Sequence, residues 1–191
     1  MPERVKEVRE AHPKTRVVVE LCAETEMRVG LKPVLRRVWA PCGKRPVAKV
    51  KRRYKWVYVY GFVRPTTGET YWLILPTVNV EMFSLALKHF AQGVGAGEEK
   101  HILLVVDQAG WHTGGEVEVP KGIELEVLPA RSPELMPSER LWPLINERVA
   151  NRLFEELNDL QEALVERCLS LSEQPESVQG HTLYHWWPDA A

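Results

Sequence analysis

The sequence predicts an α/β fold, a mixed sheet flanked by helices, and three observations carry that expectation. The first half holds β-branched and aromatic runs of strand length separated by turn residues. A continuous apolar run, HILLVV, lies mid-chain and ends on an acid, Asp107. From Leu141 onward the apolar residues recur at helical spacing. Strands first, a helix between them and helices last describe helices layered on a sheet. With 191 residues, 45% apolar and 27% charged, the chain can bury one substantial core.

The elements follow in order. Residues 4–11 suit a short charged helix ending near Pro13. Residues 17–23 (VVVELCA) read as a strand, followed by a polar cluster, Glu24-Thr25-Glu26. Trp39, Pro41 and Gly43 mark a turn, and Trp56-Val57-Tyr58-Val59-Tyr60 alternates like a strand with one wet face. Pro65 to Gly68 turn the chain into a return strand, TYWLIL, which completes a meander. Asn79 can cap a helix carrying Met82, Phe83, Leu85, Ala86 and Phe90, closed by the glycines at 93–97. HILLVV is too β-branched for a helix, and IELEVL at 123–128 alternates as a strand nearer an edge. Two helices follow, one through Leu141, Leu144, Ile145 and Val149, the other over 157–171. These elements divide the chain into a helical lead-in, 1–16, a folded unit, 17–172, and a loose tail, 173–191, in which Pro175, Gly180 and Pro188 break any periodicity.

Several classes are excluded. No apolar run approaches the ~20 residues that span a bilayer, and the charged first sixteen residues lack a signal-peptide centre, so a cytoplasmic protein without a membrane partner is expected. Cys22, Cys42 and Cys168 are odd in number and in no metal-binding spacing, which leaves reduced, mostly packed thiols. Of the tryptophans, Trp39, Trp72 and Trp142 are expected in packing roles. His181 and His185 have helical metal-pair spacing, but Gly180 and Pro188 argue against a helix there.

The net charge of −1 conceals a segregation. Between Met27 and Gly68 stand twelve basic residues and no Asp or Glu; from Glu134 to the end, eleven acids face four arginines. Clustered Lys and Arg displace counterions from a polyanion whatever the global charge, so Lys44, Arg45, Lys49, Lys51, Arg52, Arg53 and Lys55 form a candidate DNA-binding face. Acids stand where an α/β fold gathers chemistry: Glu24 and Glu26 past the first strand, Asp107 at the end of the apolar run, and Glu139 in the first turn of a helix. Converging carboxylates are what hard divalent cations require.

The residues around these acids carry a resemblance. Asp107-Gln108-Ala109-Gly110-Trp111-His112, then Leu128-Pro129 leading into Ser132-Pro133-Glu134-Leu135-Met136-Pro137-Ser138-Glu139, resemble the second and third acidic motifs of DDE transposases of bacterial insertion sequences in the mariner superfamily. The family pattern is Asp-Asn-Ala-x-x-His, then Leu-Pro-x-x-Ser-Pro-x-Leu-Asn-Pro-x-Glu. Arg28-Val29-Gly30-Leu31 and the Trp39 to Pro46 stretch are similar to its N-terminal segments.

The resemblance implies a ribonuclease H-like fold and metal-dependent cleavage and strand transfer of DNA at transposon ends. It implies two Mg2+ or Mn2+ ions, with Asp107 as second catalytic acid, Glu139 as third, and His112 as a further contact near metal or phosphate. The family's Asp-Glu pair falls on Thr25 and Glu26, so a neutral hydroxyl stands where the first Asp belongs. Activity is expected to be impaired unless Glu24 or Glu26 substitutes. Gln108, Ala130-Arg131 and Met136 depart from the pattern as well. The resemblance further implies DNA as partner, a helix-turn-helix supplied by a separate polypeptide, a homodimer as candidate assembly, and residence at the nucleoid. The alternative is a catalytically inactive remnant that binds DNA or a partner.

Overall fold

In the computed structural model, which describes residues 2–11, 18–47 and 53–188, one long strand, β1 (Val18–Gly30), organises the sheet. The strand expected over 17–23 therefore does not stop before Glu24-Thr25-Glu26. Pairing explains the extension. β1 runs parallel to β4 (Lys100–Val106) from Val18 to Ala23, then antiparallel to β2 (Trp56–Arg64) from Ala23 to Gly30. Backbone partners on β2 hold the polar residues extended where their own propensity would favour a turn. β3 (Glu69–Leu75) pairs antiparallel with β2 and β5 (Ile123–Val127) parallel with β4, giving the order β3-β2-β1-β4-β5 and placing β5 at the edge, as expected.

Period-two alternation separates two cores. Leu21, Ala23 and Val29 face α4 (Leu141–Val149), α5 (Leu157–Ser172) and α6 (Pro175–Thr182), with Val5 and Val8 of α1 (Pro2–Ala11) at one margin. Cys22, Tyr60, Phe62 and Leu104 face α2 (Val80–Val94), where Phe62 stacks on Phe90 at 4.2 Å. The Asn79 cap forms as expected, its Oδ1 accepting from Met82 N at 2.7 Å. Gly95 closes α2 at φ 72°, a left-handed conformation that favours glycine.

Two expectations need correction. The tail is not loose: α6 buries Val178 and Thr182, Trp187 is buried beyond it, and Gln179 Nε2 donates to Thr66 O. Gly68, at φ 76°, lets this docking happen, because a Cβ there would stand 1.8 Å from Pro175 O. One apolar anchor per turn of a short helix leaves too weak a period to read. Trp39 is fully exposed, in a stretch without regular structure whose root is fixed by Asn151, which bonds the backbone of Arg36 through both side-chain atoms. Cys42 is exposed, whereas Cys22 and Cys168 are buried. Among the described residues no helix is long and apolar enough to cross a membrane.

The docked tail has a measurable consequence. Val178→Ala is expected to lower unfolding stability by about 2 kcal/mol, roughly 4–8 °C in melting temperature. A loose tail would leave both unchanged in chemical and thermal denaturation.

Candidate active site

β1 outruns β4. Its last parallel partner is Ala23, opposite Val105, so Thr25 and Glu26 project past the end of β4 where Asp107 leaves the sheet. Such a gap at the carboxyl end of parallel strands is where α/β folds open a crevice. Thr25 shares a face with Ala23 and turns toward the α4 side. Its Oγ1 donates to Glu139 Oε1 at 3.0 Å.

Glu139 lies in a 3₁₀ turn (Pro137–Arg140) that leads directly into α4. The register explains how it reaches β1. Gly61, the β2 partner of Thr25, would bring a Cβ within 3.0–3.2 Å of Trp72, Trp142 and Leu141. Its missing side chain lets the start of α4 sit against the sheet and carries Glu139 to Thr25. Asp107 and Glu139 line one cavity of about 340 Å³, together with Ala109, Arg131 and Met136. Asp107 and Glu139, distant in sequence, thus share one opening, and buried Thr25 reaches it through its bond to Glu139.

The opposite face of β1 carries a second cluster. Glu24 and Glu26 point toward α3 (Gly110–Thr113), whose His112 is buried against Phe83, ring centroids 4.4 Å apart. His112 Nδ1 donates to Asp107 Oδ1 at 2.8 Å, and its Nε2 lies 3.0 Å from Glu26 Oε1 and 3.6 Å from Glu24 Oε2. Trp111 Nε1 also donates to Glu26 Oε1, at 2.9 Å. Glu24 is fully buried, and neither of its carboxylate oxygens has a hydrogen-bond partner.

Electrostatics follow from this arrangement. Burial opposes a charge on His112, but hydrogen bonds to Asp107 and Glu26 and the nearby Glu24 outweigh it and raise the imidazole to about 10. The same bond from His112 holds Asp107 below its ordinary value against partial burial. Burial, then the charge of Glu26, pushes Glu24 well above the usual carboxylate range, with His112 opposing. Asp107 is the seam between the faces, lining the cavity while its Oδ1 is held by His112 and by Ala109 N at 2.9 Å.

The remaining sequence candidates divide. Lys44, Arg45, Arg53 and Lys55 are exposed, whereas Lys49, Lys51 and Arg52 lie outside the described residues. His112, grouped above with the phosphate contacts, is buried with both ring nitrogens engaged, so it presents nothing at the surface. Glu26 faces His112 and Trp111, away from Glu139, because neighbouring strand residues point to opposite faces. Glu24 gave no sequence signal of burial beyond its position two residues after Cys22 on the inward alternation.

A family profile described as DDE superfamily endonuclease matches residues 25–161, beginning at Thr25 and spanning both acidic motifs. The chain belongs to this family. This DDE superfamily member is 33% identical over 132 residues to the Sinorhizobium fredii (strain NBRC 101917 / NGR234) protein y4pE/y4sA, itself uncharacterized, covering 69% of this chain and 96% of that one. Its fold is similar to the catalytic domain of Mos1 mariner transposase (TM-score 0.51, 13% identity, 96% of this chain and 93% of that one). It is also similar to the Mos1 paired-end complex with Mg (TM-score 0.57, 20% identity, 86% of this chain and 56% of that one) and to the Mos1 strand transfer complex (TM-score 0.53, 16% identity, 95% and 60%). The chain of this DDE superfamily member spans about 60% of the Mos1 chains in those complexes.

Glu24 supplies a clean electrostatic test. A buried carboxyl whose pKa is raised costs nothing below its ordinary 4.5 and destabilises increasingly as pH rises above it. In metal-free buffer, Glu24→Gln is therefore expected to match the natural chain near pH 4 and to melt higher at pH 7. Equal melting temperatures at both pH values would mean that the carboxyl has found a partner or solvent.

Proposed function

We propose that this chain is the catalytic domain of a transposase for DNA cleavage and strand transfer at transposon ends, impaired because Thr25 occupies the position of the first acid. The observation that carries this reading is the hydrogen bond from Thr25 to Glu139 beside Asp107, the meeting of three positions that the family motifs assign to one site. A random threonine on β1 would have no reason to contact the glutamate of the third motif.

The donor set decides what the site can hold. Asp107 and Glu139 supply two carboxylates, and the Thr25 hydroxyl is neutral and already donated to Glu139. This set suits one hard divalent cation, Mg2+ or Mn2+, and does not suit the two-ion arrangement, which needs a bridging acid. When bound, such an ion supplies Lewis-acid stabilisation to a phosphodiester oxygen. Asp107 would hold the ion through Oδ2, since Oδ1 accepts from His112 and Ala109. Glu139 is restrained by Thr25, and His112 positions Asp107 from the opposite face.

The exposed basic residues between β1 and β2 favour DNA as partner. Lys44, Arg45, Arg53 and Lys55 are exposed in a stretch of sequence that holds no Asp or Glu, and Arg53 Nη1 donates to Glu155 O. Replacing these four by Ala is expected to reduce the slope of log affinity against log salt by about 3–4, equally on unrelated duplexes. An unchanged slope would remove this face from the DNA interface.

The neutral Thr25 also favours a second reading, a catalytically inactive domain that keeps the fold and the basic face without cutting. The two differ in what charge restoration does. With a DNA-end-binding module supplied, Thr25→Asp is expected to raise metal-dependent nicking at least about tenfold over the natural chain, equivalent to ~1.4 kcal/mol of barrier. No nicking in either chain supports the inactive reading. Robust nicking by the natural chain, lost in Glu26→Gln, would overturn the assignment of Thr25 as the defect.

A further inference from the structure

Three carboxyl groups, Glu24, Glu26 and Asp107, surround the single imidazole of His112. Even with the imidazole charged, the group carries an excess of negative charge, and the side chains of Glu24, Glu26 and His112 are buried, with only Asp107 reaching solvent. One of the three, Glu24, is fully buried with neither oxygen hydrogen-bonded, and its Oε2 lies 3.6 Å from His112 Nε2. Native interiors rarely leave such a group unsatisfied.

The donor geometry supplies what would satisfy it. One donor atom from each of Glu24, Glu26 and His112 lies within 4.8 Å of the other two. The Nε2 separations, 3.0 and 3.6 Å, match the roughly 3–3.6 Å between neighbouring ligands of a cation bound at ~2.0–2.2 Å. The outer contacts fit as well. Asp107 accepts from Nδ1, which orients the imidazole with Nε2 toward the two glutamates, the arrangement that metal-ligating histidines require of their second nitrogen. Trp111 holds the Glu26 carboxylate in place.

We propose that Glu24, Glu26 and His112 form a binding site for one divalent transition-metal ion of the zinc type, on the sheet face opposite the Thr25–Glu139 pair. The ion takes the place of the proton on Nε2, engages the Glu24 oxygens and ties β1 to α3. An imidazole among the ligands selects zinc over magnesium, whereas the all-oxygen set of Asp107 and Glu139 does not. Through His112 the ion also fixes the rotamer of Asp107, which makes His112 a positioning residue for the cavity. The site stands on its own geometry and does not depend on whether the domain cuts DNA.

The test loads metal-stripped protein with Zn2+, followed by calorimetry and thermal unfolding, and with Co2+, followed by visible absorption. The natural chain is expected to bind one Zn2+, to melt higher with it, and to give a Co2+ d–d band without a thiolate charge-transfer band. Glu24→Gln is expected to lose about tenfold or more in Zn2+ affinity and to lose the Co2+ band, while melting at or above the natural chain when metal-free, which shows that it folds. Glu139→Gln is expected to keep both signals. Unchanged Zn2+ binding in Glu24→Gln would overturn the site. Loss of binding in Glu139→Gln would move the ion to the cavity, and a thiolate band would move it to a cysteine such as Cys42.

Discussion

The pairing of β1 on both of its edges is the constraint from which the site follows. Parallel pairing to β4 stops at Ala23, while antiparallel pairing to β2 carries β1 on to Gly30. The overhang keeps Glu24, Thr25 and Glu26 extended, and extension forces them to alternate between faces. Thr25 is thereby committed to Glu139 and the glutamates to His112. A shift of one residue in the register would exchange the two sets, placing both glutamates beside Glu139 and burying Thr25 against α3.

The two faces carry different electrostatic problems, joined at Asp107. On the α4 side the carboxylates open on a cavity reached by solvent, and a cation can satisfy them. On the α2 side the glutamates meet a charged imidazole in a dry interior. His112 resolves part of that problem, lowering Asp107 and accepting the charge of Glu26, and leaves Glu24 to favour its neutral form. Asp107 is thus preoriented for the cavity by a residue that does not line it.

Much of this was legible in the sequence, and the failures have physical causes. The meander, the Asn79 cap, the apolar strand ending on Asp107 and the edge position of β5 all show in local pattern, because a cap, a tight turn and the burial of a strand's faces each leave a local signature of residue types. The motif residues located Asp107, Glu139 and Thr25, since their chemistry rather than their packing fixes their identity. The end of β1 was misplaced because its extension depends on β2, some thirty residues away. The docking of α6 depends on Gly68 and Thr66, more than a hundred residues distant, and no local period records it. Trp39 gave a false signal of burial because composition alone does not say whether a large apolar residue has anything to pack against.

We propose that Thr25, Asp107 and Glu139 compose one cation site with an acid fewer than two ions need. Calorimetric titration with Mg2+, which the imidazole cluster does not favour, counts the ions directly. The account expects one weak Mg2+ in the natural chain, abolished by Glu139→Gln, and a second, tighter site created by Thr25→Asp. Two Mg2+ bound by the natural chain, or no added site in Thr25→Asp, would contradict it.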